Sequence, residues 1–187
     1  PLSGGTSGFS RTGLHYIDGA DSTFPVIPID TGTTNNLNQR YNSIGYNIVD
    51  GYMYAGNNDD IYRIGPDGTV QLFASNVVED DGAGQADFGY IGDVDENGWY
   101  YAQRGGNTNG KFAHVVDLSA NPATMSWTRL NFKRGTADYA MSTADYAFSP
   151  ITGDLFAKVG GTRIAIASIP SDLEPGVSGP KDAQVIE

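Results

Sequence analysis

"GYNIVDGYMY" at residues 45–54 has two close counterparts further along the chain, "GDVDENGWYY" at 92–101 and "AFSPITGDLF" at 147–156. The three align without a gap. Each carries a glycine at its seventh position, Gly51, Gly98 or Gly153, and an aromatic residue at its tenth, Tyr54, Tyr101 or Phe156. Just ahead of the glycine stands Asp50, Asn97 or Thr152. A short polar residue followed by glycine between two strand-like runs marks a tight turn in which glycine takes positive φ. Each copy therefore predicts a strand, a turn and a second strand. The copies begin 47 and 55 residues apart, about the spacing of propeller blades.

Between the copies a second strand pair follows, as a four-stranded blade requires. "DIYRIGPDGTVQLF" predicts strands near 61–64 and 69–73 around the turn Gly65-Pro66-Asp67-Gly68. "KFAHVVDLSANPATMSWTRLNF" predicts strands near 112–118 and 125–132. After the third copy "TRIAIASIP" supplies one strand, "SDLEPGVSGPKDAQ" reads as a loop, and "VIE" is what is left to pair. At the start, "LHYID" and "FPVIPID" read as the outer two strands of a blade. The expectation is an all-β chain, one domain over 1–187. It comprises a half blade at 12–34 and blades at about 40–76, 87–132 and 138–187. That makes about three and a half blades, whereas closed propellers have roughly 4 to 8. An unclosed array leaves sheet edges and apolar faces bare. The reading is thus a partial or composite propeller, completed by blades from another chain or fragment or by self-association. A divergent blade hidden in the sequence is the plainer alternative.

Composition agrees with strands and turns. Of 187 residues, 25 are Gly, 11 Tyr and 8 Phe, and 18% are charged, which disfavours long surface helices. A net charge of −11 makes a nucleic-acid phosphate backbone a poor partner. No stretch approaches the roughly 18 to 20 apolar residues of a membrane span, and the opening "PLSGGTSGFS" lacks the features of a signal peptide. Cysteine is absent, which removes disulfide, zinc-thiolate and cysteine-nucleophile chemistry together. The acidic, Gly/Ser/Thr/Asn-rich character suggests a secreted or extracellular-surface location, although no Asn-x-Ser/Thr sequon supports it.

"YNSIGYNIVDGYMYA" (41–55) with "IYRIGPDGTV" (61–70), and then "IGDVDENGWYYA" (91–102), resemble an extracellular β-propeller-like domain family of uncharacterised function. That family occurs in secreted or surface proteins of fungi and bacteria. The resemblance spans about residues 14–170. It implies a propeller-like fold outside the cell, and it supplies no catalytic residues to carry over. Family members look longer at the C-terminal end, where the resemblance implies further blades.

Candidate sites begin with Asp93, Asp95 and Asn97, which alternate on an extended segment as calcium-loop ligands do. With Asp93 as position one, Gly98 falls at six, but position twelve is Arg104 where a carboxylate belongs. Calcium is therefore set against a plain hairpin, whose sister copies hold Tyr46, Ile48 and Asp50 or Phe148, Pro150 and Thr152. Two acidic runs, Asn57 to Asp60 and Glu79, Asp80, Asp81 with Asp87, offer a cation or a basic partner; solvated turns are the bland reading. Of the two histidines, His114 lies in the alternating run Phe112 to Leu118 and His15 in an outer strand, which favours structural roles. Lys133-Arg134 reads as a loop pair or a processing site.

Ligand binding falls to aromatic residues, Tyr52, Trp99 and Tyr146 first and Tyr90, Trp127 and Tyr139 behind them, whose rings offer sugar-stacking faces; packing between blades is the competing role. The leading function is a non-catalytic extracellular module that binds a glycan or matrix ligand or assembles with another chain. The rival is a carbohydrate-active enzyme using paired carboxylates. Gly-x-Ser-x-Gly and Walker-type motifs are absent.

Overall fold

A computed structural model of the chain describes residues 15–17, 20, 22–23, 25–28, 41–80, 86–103, 110–141 and 143–187. The described residues are all β apart from turns and a single 3-10 turn at Pro122–Thr124. Two short strands, β1 (His15–Ile17) and β2 (Val26–Pro28), pair antiparallel. Most of the remainder of the expected half blade lies outside the described residues. A four-stranded antiparallel sheet follows in chain order: β3 (Asn42–Asn47), β4 (Tyr52–Asn57), β5 (Asp60–Ile64) and β6 (Val70–Ala74). After the short β7 (Val78–Glu79), a second run comprises β8 (Ile91–Val94), β9 (Trp99–Gln103), β10 (Phe112–Asp117) and β11 (Ser126–Arg134). Beyond β12 (Ala137–Asp138), a third run comprises β13 (Thr143–Phe148), β14 (Leu155–Val159), β15 (Arg163–Ser168) and β16 (Lys181–Ile186).

The repeated turns form as the sequence predicts. Gly51, Gly98 and Gly153 have φ of 78°, 79° and 71°, and each donates its N–H back across the turn, to the carbonyls of Asn47, Asp95 and Ser149. A residue with a Cβ would be strained at all three.

The third run departs from the sequence expectation in two ways. First, Lys181 to Gln184 are strand rather than loop, so β16 supplies a fourth strand. The alternation decides this: Ala183 and Val185 turn inward while Asp182, Gln184 and Ile186 turn out. Second, β16 also pairs in parallel with β11, Leu130 to Lys133 against Lys181 to Gln184. The second and third runs therefore join edge to edge into one nearly closed, barrel-like sheet.

The three inner strands lie side by side, with β8 between β3 and β13. Glycine makes the first approach possible. A Cβ on Gly45 would lie 2.6 Å from the Val94 nitrogen, and one on Gly92 would lie 2.8 Å from the Ser43 carbonyl oxygen and Cβ. Ser43 thus faces Gly92 while Gly45 faces Asp93 and Val94, so the two strands run in the same direction. Gly45 and Gly92 open their copies of the repeat, and Ala147 opens the third: a small residue at that position is a signal the alignment carried.

Two interior layers result. Tyr54 and Ile61 of the first sheet pack against Val94, Tyr100, Val116 and Trp127 of the second run. On the opposite face of that run, Tyr101, Val115, Leu130 and Phe132 meet Tyr146, Leu155, Ala165 and Val185 of the third. β9 consequently buries both faces, which explains why "WYYA" is apolar without alternation.

Candidate functional site

The β8–β9 turn is built around one carboxylate. Asp95 Oδ1 accepts the N–H groups of Asn97 (3.0 Å) and Trp99 (2.9 Å). Its Oδ2 accepts from Asn97 Nδ2 (3.2 Å) and from the Tyr101 hydroxyl (3.3 Å). The first hairpin repeats the device with Asp50, which accepts the Tyr52 N–H (3.1 Å) and the Tyr54 hydroxyl (2.7 Å). In the third, Ser149 Oγ accepts from Ile151 and Thr152, and an aromatic without a hydroxyl, Phe156, needs no partner. Short polar side chains capturing nearby N–H groups are what hold such turns.

Asp93 works differently. Its Oδ2 accepts the Phe148 N–H at 3.1 Å, tying β8 to β13. Burial pushes the carboxyls of both Asp93 and Asp95 up, while the backbone N–H donors at each pull the other way. The expected metal trio is thus brought to one turn region, where the Asn97 amide nitrogen donates to Asp95. Among the described residues no group of three or more His, Cys, Asp or Glu side chains is assembled to hold a metal ion. Arg104 and Asp81 lie outside the described residues.

The three leading aromatics are dispersed. Tyr146 is buried between the second and third runs, 6.3 Å from Phe132 by ring centroids. Trp99 is half-buried against that same layer. Tyr52, half-buried, lines a cleft of about 360 Å³ on the first sheet together with Arg63, Asp67, Thr69 and Gln71. Of the secondary candidates, Trp127 is buried, Tyr139 bonds Glu187, and Tyr90 is exposed.

The cleft's central residue is one that sequence reasoning missed. Tyr54, Arg63 and Gln71 stand in register across β4, β5 and β6, and Arg63 Nη2 donates to Gln71 Oε1 at 3.0 Å. The guanidinium lies 4.6 Å from the Tyr52 ring centroid and 5.7 Å from that of Phe73. The rim is stiffened by Asp67, whose oxygens accept the Thr69 N–H (3.0 Å) and hydroxyl (2.8 Å). The signal in the sequence was a cation and an amide at matching strand positions, on the face that otherwise packs.

The model of a family described as a repeat of unknown function (DUF6923) matches residues 5–168. The chain belongs to that repeat family. No curated protein and no solved structure matches it.

Within this repeat protein the remaining candidates take up structural work. His114 is caged by Phe88, Phe112 and Trp127. Its Nδ1 lies 3.1 Å from the Ala102 carbonyl oxygen, and its Nε2 accepts the Asp87 N–H at 3.3 Å. One donor and one acceptor describe a neutral imidazole, and burial pushes its pKa down to about 4, with the Arg129 charge adding to the effect. The acidic runs of this repeat protein are likewise engaged. Asn57 pairs with Asp60 across a two-residue turn, Glu79 takes a forked contact from Arg129, and Asp80 accepts from Thr128 and Gly179. Lys133 and Arg134 end strand β11 rather than lying in a loop, and they meet Asp138 and Glu187.

Proposed function

We propose that the chain is a non-catalytic extracellular binding and assembly module, a portion of a β-propeller in which each four-stranded unit is covered by the next. One observation carries the reading. The face bearing Tyr54 is covered by the second run, and the face bearing Tyr101 is covered by the third. The corresponding face of the third run carries Ala147, Phe156, Ile166 and Ile186 in one hydrogen-bonded row, and there Ile186 is 64% and Ile164 57% exposed.

The distribution of sizes strengthens the argument. β15 turns its alanines, Ala165 and Ala167, to the interior and its isoleucines to the bare side. A strand that ended its array would gain nothing by placing its larger apolar groups in water. On this reading the bare row is the seat of another unit, supplied by a second copy of the chain. The row's alternation with the buried face also explains why it escapes notice in sequence: both faces of β15 read as apolar.

Sedimentation equilibrium tests the proposal. The expected result is a mass that is a multiple of the 19.9 kDa monomer, returning to the monomer value when Ile164→Glu and Ile186→Glu are combined. A wild-type chain that stays monomeric at roughly 100 μM, where even weak specific contacts of about −5.5 kcal/mol become half-occupied, would sink the assembly reading. Turnover of a polysaccharide that is lost on replacing Asp93 or Asp95 by Asn would favour the enzyme reading instead.

A further inference from the structure

Among the described residues two arginines lie on pairs of aromatic rings, and only one of the two is seen holding a carboxylate. Arg129 sits 4.4 Å from the Phe112 centroid and 5.6 Å from that of Trp127. With its flat face so supported, its edge forks Glu79, Nε to Oε1 at 2.9 Å and Nη2 to Oε2 at 3.2 Å. Arg63 is mounted in the same manner on Tyr52 and Phe73. Its partners, however, are neutral: the amide of Gln71, which takes one nitrogen, and the hydroxyl of Tyr54, which in turn donates to Asp50. Arg134 and Arg163 both meet Glu187.

A guanidinium offers five donors in a rigid fork that matches a carboxylate, and ring support fixes its orientation before any ligand arrives. Asp67, the carboxylate in the cleft wall, is turned to Thr69. The space in front of Arg63, about 360 Å³, lies at the small end of ligand sites, which run from roughly 300 to 1,000 Å³. Around it the Thr69 hydroxyl, the Gln71 amide and the Asp67 carboxylate offer both donors and acceptors, the mixture that hydroxyl groups require.

We infer that this cleft binds a carboxylate-bearing sugar of monosaccharide size, a hexuronate, with the carboxylate forked on Arg63 and the ring hydroxyls on Asp67, Thr69 and Gln71. The inference rests on the reading of the chain as a binding module and is independent of its assembly. The carboxylate charge is what a neutral sugar lacks, so Arg63 sets the specificity. The net charge of −11 limits the ligand to a short one, because a long polyuronate would be repelled by the rest of the surface.

The test is an NMR titration of the full chain with glucuronate, with glucose and acetate as parallel probes. Saturable shifts of the Thr69 and Gln71 amides and of Arg63 Nε are expected with a Kd near 1 mM, the affinity of about −4 kcal/mol that a few charge-assisted bonds supply. Glucose should produce no such shifts, and acetate should bind roughly tenfold more weakly for want of the ring contacts. Arg63→Gln should weaken glucuronate binding by at least about tenfold, and Arg63→Lys should fail to restore it, since it keeps the charge and loses the fork. Should Arg63 variants misfold, Gln71→Glu provides the check, since an internal carboxylate on Arg63 should abolish binding in a folded chain. Absence of saturation by about 50 mM glucuronate, equal response to glucose, or binding unchanged in Arg63→Gln or Gln71→Glu would overturn the inference. Binding of a neutral glycan without dependence on Arg63 would overturn it and leave the module reading standing; turnover of the sugar would overturn the module reading itself.

Discussion

The second and third runs of the repeat share a strand pattern and differ in what surrounds them. β9 and β10 are covered on both faces, and Tyr100 and Tyr101, adjacent in sequence, are both fully buried on opposite sides. β14 and β15 are covered on one face, and their other face holds Phe156, Ile164 and Ile166. The middle run has accordingly become the place where polar groups must be satisfied internally: Asp93, Asp95 and His114 each find partners within the protein. The contrast teaches that position in the array, rather than the repeat motif, decides how costly a substitution is.

The largest break in this contrast is expected at the seam of the inner strands. Gly92→Val would drive its branches into Ser43 and the Tyr101 carbonyl, which a Cβ alone would approach to 2.8 and 2.9 Å. Because backbone atoms cannot retreat, the chain should lose more than about 4 kcal/mol or fail to fold. Ala147→Val, at the equivalent and exposed position of the third run, should stay within roughly 0.5 kcal/mol. Urea denaturation of the pair compares them directly.

Acidification tests the middle run next. The folded state holds the His114 pKa at about 4 against an ordinary 6.5, so the unfolded chain binds more protons between those values. Stability contributed by neutral His114 is complete above about pH 6.5 and declines as pH falls toward 4, by on the order of 3 kcal/mol. Asp93 and Asp95 act in the opposite sense. Their carboxyls are raised in the folded state, so their contribution is present at low pH and is lost as pH rises through the folded pKa. Urea midpoints between pH 7 and 4.5 should therefore fall for the wild type and fall less for His114→Gln. In Asp95→Asn the fall should be steeper, since the opposing carboxyl is gone.

The smallest effect sharpens the comparison of hairpins. Asp95 is buried and accepts from four donors, whereas Asp50 is exposed and accepts from two. Asp95→Ala should cost about 2 kcal/mol and Asp50→Ala about 0.5, because an unsatisfied N–H is expensive only where water cannot reach it. A thermal melt of each variant reads the difference.

Much of the local architecture was legible in the sequence because it is governed by local chemistry. Gly51, Gly98 and Gly153 declare their turns through backbone sterics alone. What lay beyond reach depends on which strands meet. The same alternating pattern in "KDAQVI" serves a loop reading or a strand until β11 is known to lie beside it, and no composition reports that the second and third runs would join. The candidate site was partly legible for a related reason. Tyr52 stood out as an aromatic, whereas Arg63 and Gln71 become a pair only through the register of β5 with β6. Asp95 was visible as a turn carboxylate, but its four donors are set by folding of the turn around it.

The parallel contact between β11 and β16 carries a consequence for how the chain acquires its structure. Residues 130–133 wait for partners at 181–184, which leave the ribosome some 50 residues later. Pairing over such a separation is slow because the intervening chain must be ordered first. An unpaired edge on β11 persists through that interval, and exposed edges invite the wrong neighbour. The final strand is thus a latch whose late arrival sets the time during which a nascent chain is open to domain exchange with another.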